Sequence, residues 1–150
     1  MIRKNYLIAL GAVWTLAVAW TPAFGADLKS PQLVKTSLQI FAGVYDDMNR
    51  KLAAKTYDRL PHENQEFQDG AAAMRDAIAG EPAEFKSRVE SVLQKTLAAS
   101  THVAEVSKTH DESQVRAALN ALADSMKMLA ALFPENLRPV AGAAGHHEHG

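Results

Sequence analysis

Residues 85–106 read FKSRVESVLQKTLAASTHVAEV. Phe85, Val89, Val92, Thr96, Ala99, Val103 and Val106 recur at alternating spacings of four and three, the repeat that gathers side chains on one face of an α-helix. A half-buried strand would instead place apolar residues at every second position. The spacing predicts a helix from about Pro82 to about Thr109, with a heptad-like seam suited to lengthwise packing on another helix.

The same repeat continues on both sides. Downstream, Asp111 with Gln114 three residues on has the form of a capping box, and Val115, Leu119, Leu122, Met126, Leu129 and Phe133 follow at helical spacing until Pro134 stops the run. Upstream, Phe67, Ala71, Met74 and Ile78 mark a helix from about Pro61 to Ala79. Gly70 weakens it, Gly80 is its expected C-terminal cap, and Pro82 opens the next helix. Leu60-Pro61-His62 separates it from a first helix, Pro31 to about Lys55, whose expected cap is the Ser30 hydroxyl. Leu33, Ser37, Phe41, Val44, Met48 and Leu52 form its stripe, widened by Ile40 and Tyr45. Four amphipathic helices with short connections predict an all-α protein, an antiparallel four-helix bundle spanning residues 26–134.

Composition agrees with that class. The 150 residues are 47% hydrophobic and 22% charged, close to a globular average and enough for one core. With 16 Lys+Arg against 17 Asp+Glu there is no concentrated basic surface for nucleic acid. The absence of cysteine excludes disulfides, thiolate metal sites, cysteine nucleophiles and thioether-linked haem.

Residues 1–25 differ from the rest. Arg3 and Lys4 precede an almost uncharged stretch from Tyr6 to Trp20, then Pro22 and Ala23-Phe24-Gly25. That is the layout of a secretory signal peptide, with cleavage expected between Gly25 and Ala26. The apolar run is shorter than the roughly 20 residues of a membrane span, so the expected product is periplasmic or secreted, with no stable span after cleavage. Both tryptophans, Trp14 and Trp20, leave with the leader.

At the other end, residues 135–150 are rich in small residues and proline, the composition of a flexible tail. Within it His146, His147, Glu148 and His149 place three imidazoles and a carboxylate in four residues. Such donors suit Cu, Ni or Zn and can wrap one ion without a prebuilt pocket. His62 and Glu66, spaced i to i+4, are a second pair of candidate ligands, although acidic residues there also suit a helix N-terminus. His102 with Glu105, and His110, read as surface residues. Met48, Met74 and Met126 lie on apolar stripes, which points to core packing rather than copper ligation, and Met128 points elsewhere. Ser37, Thr96 and Ala99 are small or polar on large apolar stripes, leaving room for a small ligand or for close helix approach. No nucleophile elbow, phosphate-binding loop, His-Glu-x-x-His or paired Glu-x-x-His motif is present, so no enzyme activity is expected.

An exported helical chain whose mature start reads Ala26-Asp27-Leu28 resembles the periplasmic bundles of the cytochrome b562 and cytochrome c′ type in architecture. The c′ resemblance implies a C-x-x-C-H haem site late in the last helix, where this chain has Met126-Lys127-Met128-Leu129-Ala130. The b562 resemblance implies a methionine ligand early in the first helix and a histidine late in the fourth. Leu33 and Val34 stand at the first position, and no histidine lies between His110 and His146. The haem-ligand motifs are therefore missing. Two main functional readings follow: an exported metal-handling protein that buffers or transfers Cu, Ni or Zn, and a non-catalytic interaction module contacting another envelope protein. A small ligand or non-covalent haem between helices is a third.

Overall fold

The computed structural model describes residues 27–140 and is all-helical: among these residues there are four α-helices and no strand. The helices are α1 (Pro31–Ala53), α2 (Leu60–Ala77), α3 (Ala83–Ser107) and α4 (Glu112–Ala130), with short 3-10 turns at Tyr57–Arg59 and Glu135–Leu137. Each helix packs on the next in sequence, and α1 also meets α4. The end of α1 faces the start of α2 at Lys51 and Glu63, and the start of α3 meets the segment after α4 at Phe85 and Phe133. This order of contacts is compatible with a helical bundle.

The stripes on α2 and α4 are buried largely as their spacing predicts: Phe67, Ala71, Met74, Ile78, Val115, Leu119, Leu122, Leu129 and Phe133 all lie in the core, with Met126 half-buried. On α1 Ser37, Phe41, Val44, Met48 and Leu52 are buried as their spacing predicts, and the face differs only toward the start of the helix. Val34 and Leu38 are buried, whereas Leu33 is 56% exposed and Ile40 is exposed at its edge. On α3 the buried face is wider than the single seam, because Leu93, Leu97, Ser100, Ala104 and Ser107 are buried too while Val92, Ala99 and Val106 are only half-buried. The reason is that α3 packs on both α2 and α4, and a helix with two neighbours hides two flanks.

The helix ends differ in detail from the sequence reading. Ser30 makes no side-chain cap; its carbonyl accepts from Val34 N. The α1 C-terminus closes with Thr56 N donating to Lys51 O at 2.9 Å and Lys55 N to Leu52 O at 3.0 Å, a Schellman arrangement with Lys55 left-handed at φ 56°. Lys55 is thus outside the helix. Helix α2 ends at Ala77, and Gly80 sits beyond it without left-handed backbone; a Cβ there would meet Lys29 Cδ at 3.2 Å. Asp111 caps α4 as expected, its Oδ1 accepting from Gln114 N at 3.1 Å. The Gln114 side chain returns to the Asp111 carboxylate, not to its backbone.

Beyond Pro134 the chain stays on the core through Arg138. Leu137 is 7% exposed, and the 3-10 turn that carries it packs against α1. The Arg138 guanidinium donates to Phe133 O at 2.9 Å and to Ala130 O at 3.0 Å, the latter also accepting from Phe133 N, so the side chain ties this segment to the end of α4. An apolar residue and one cation among prolines suffice to dock this segment.

Candidate functional site

The first turn of α2 carries the ligand pair expected from sequence. Pro61 lies in that turn, where its missing N–H costs no hydrogen bond. One helical turn then brings His62 Nε2 within 3.2 Å of Glu66 Oε1, both side chains open to solvent. The pair can offer one nitrogen and one oxygen to an ion, with the remaining positions left to water or another donor.

Glu63, between them in sequence, points the opposite way. It is 4% exposed, and Lys51 Nζ from α1 lies 3.2 Å from its Oε1. Its Oε2 is the one buried side-chain polar atom without a hydrogen-bond partner among the described residues. The ammonium beside the carboxylate makes this a poor place for a cation. In sequence Glu63 is one of the acidic residues that suit the N-terminus of this helix. Its spacing of three from Leu60 and four from Phe67 does place it on the apolar stripe of α2, a signal that could have found it. Nearby, Ser100 Oγ donates to Asn64 Oδ1 at 2.7 Å and ties α3 to α2.

His110 takes a role that no local pattern announces. It follows α3 in left-handed backbone, φ 54°, and its ring stacks on Tyr57 with centroids 5.2 Å apart and planes 18° apart. His110 Nε2 is 3.1 Å from Asp58 Oδ1. The contact joins the α3–α4 connection to the α1–α2 connection across 52 positions of sequence, a separation at which helical periodicity carries no information. Arg116 hydrogen-bonded to the Glu112 carboxyl holds it below the usual carboxylate range, and the Lys55 charge adds to this from the other connection. His102 is exposed, and Glu105 pairs with Lys108 rather than with it.

Among the described residues no group of three or more His, Cys, Asp or Glu side chains is placed to hold one metal ion. The expected donors His146, His147, Glu148 and His149 lie outside the described residues. Met48 and Met74 are fully buried, Met126 is half-buried against the core and Met128 is exposed, which is core packing for three of the four. The small positions are used within the helices: Ser37 Oγ donates to Leu33 O, and Thr96 Oγ1 donates to Val92 O at 3.0 Å while lying 3.4 Å from Ser125 O on α4. No helix of the described residues is long and apolar enough to cross a membrane. Compared with protein-family models, with curated proteins and with solved structures, the chain matches none.

Proposed function

We propose that this is an exported antiparallel four-helix bundle that handles transition-metal ions, Cu, Ni or Zn, for buffering or transfer, through His146, His147, Glu148 and His149. The observation that carries the reading is the sequence itself, three imidazoles and one carboxylate within four residues, a donor set that can close around a borderline ion unaided. The scaffold supports it in one respect. The chain leaves the core after Arg138, beside Ala130 and Phe133, whereas His62 is at the start of α2, at the opposite end. From His62 to Ala77 the helix rises about 23 Å, at 1.5 Å per residue. The tail thus starts from the end of the molecule away from the His62–Glu66 pair, and it is the stronger site by donor number.

Calorimetric titration of the mature chain and of a form ending at Ala144 with Cu(II) or Ni(II) tests this. The expected outcome is loss of the tighter binding step in the shortened form, with a weak residual step abolished by His62→Ala. Equal stoichiometry and affinity in the two forms would refute the proposal. A second reading, a non-catalytic module that contacts another envelope protein, draws support from the exposed Leu33 and Ile40, seven residues apart on one flank of α1. Loss of a partner in pull-downs on Leu33→Ser, with metal binding intact, is its expected signature.

A further inference from the structure

The two ends of the helix assembly are built differently. Around the chain exit the core is apolar and aromatic: Phe85 and Phe133 meet edge to face at 5.8 Å, and Met74, Ile78, Leu129 and Leu137 pack with them in the same core. The buried Ser37 on this side satisfies its hydroxyl inside its own helix. The opposite end holds the α1–α2 and α3–α4 connections, and the unfavourable features gather there. Glu63 Oε2 is buried without a partner. Lys55 and His110, the two non-glycine residues with left-handed backbone among those described, terminate α1 and α3 on this side. Buried Ser100 reaches across to Asn64, and buried Ser107 bonds back to Ala104 O.

Glu63, Lys55 and His110 favour separation of that end, against the Ser100–Asn64 bond that ties α3 to α2. A buried carboxylate oxygen regains hydration when exposed, left-handed Lys and His relax to ordinary backbone, and an exposed His110–Asp58 pair with a single ring stack is a weak clasp against both. Opening either end exposes apolar core, Met48, Leu52 and Leu60 at the connections and Phe85, Leu129 and Phe133 at the chain exit, but at the exit no such return offsets it. Local free energies of opening follow such differences in contact quality.

We propose that the end carrying the two connections opens locally, ahead of the rest of the molecule, parting Tyr57 from His110 and exposing the Lys51–Glu63 pair to solvent while the Phe85–Phe133 end stays packed. This is a conformational device independent of any metal at the tail.

Native-state hydrogen exchange on the full mature chain, read residue by residue across low denaturant concentrations, tests it. Amides of residues 51–66 and 103–116 are expected to exchange about tenfold or more faster than those of 71–77, 85–93 and 122–130, and with a shallower denaturant dependence, the mark of opening that exposes only part of the surface. Lys55→Gly, which relieves strain and keeps the fold, slows exchange at the connection end by about fivefold. Phe133→Leu speeds exchange at the aromatic end and leaves the connection end unchanged. Equal protection and equal denaturant dependence at both ends would overturn the proposal, as would acceleration of both ends alike by Phe133→Leu.

Discussion

Gly70 illustrates how a single position carries two opposed effects. Glycine inside a helix is unfavourable by about 1 kcal/mol relative to alanine, and on sequence alone Gly70 is a weakness in α2. In the structure a Cβ at this position would fall 3.0 Å from both Ile40 Cγ2 and Phe41 Cε1. Phe41 is fully packed, its ring 4.7 Å from that of Phe67, so it has little room to yield. Overpacking of this kind costs about 1–3 kcal/mol and outweighs the propensity gain. Gly70→Ala is expected to lower stability by about 1 kcal/mol in chemical denaturation, and an increase would show that α1 can shift away from α2 freely. Glu63 teaches the converse: a charged residue at the right period is hidden when the neighbouring helix supplies a cation, here Lys51.

Between elements, the Arg75–Glu90 pair links α2 to α3 through two hydrogen bonds, 2.8 and 3.0 Å. These bonds, with a further one from Gln94, hold the Glu90 carboxyl below the usual carboxylate range. The same contact raises Arg75, which stays charged throughout. A depressed acid stabilises the fold above its ordinary value, and that contribution disappears as pH falls through the lowered value in the folded state. Both side chains are about two-fifths exposed, so the effect is small, about 0.5–1 kcal/mol. Arg75→Gln is expected to return Glu90 toward an ordinary carboxylate titration by NMR and to flatten the acid limb of stability below about pH 4.5. An unmoved Glu90 titration would show that Gln94 alone sustains the shift. The cap of α4 was legible in advance, because Asp111 and Gln114 are three residues apart and capping is local. The end of α1 was not, since a left-handed lysine has no composition signal.

For the whole molecule, the decisive late segment is residues 135–138, which a reading by composition assigns to the tail. Leu137 fills space against α1, and Arg138 ties the segment to the end of α4. A chain ending at Pro134 is expected to unfold at lower denaturant concentration, with a loss of about 2–3 kcal/mol from one buried leucine and the Arg138 hydrogen bonds. A chain ending at Val140 should keep full stability. Equal midpoints for the two would remove Leu137 from the core.

Helix number, approximate ends and most buried positions of α1, α2 and α4 were readable because a 3.6-residue period and proline or aspartate at the boundaries are properties of neighbouring residues. The candidate tail ligands are likewise visible as composition, and so are His62 and Glu66 as a spacing. What lay beyond reach depends on which helix stands beside which. The burial of Val34 and Leu38 with Leu33 left bare at the start of α1, the second buried flank of α3, the pairing of Lys51 with Glu63 and the stack of His110 on Tyr57 all depend on residues whose separation in sequence says nothing of their distance in space. Periodicity assigns a face to each helix; the neighbours that cover its two flanks choose which residues at the edges of that face are buried.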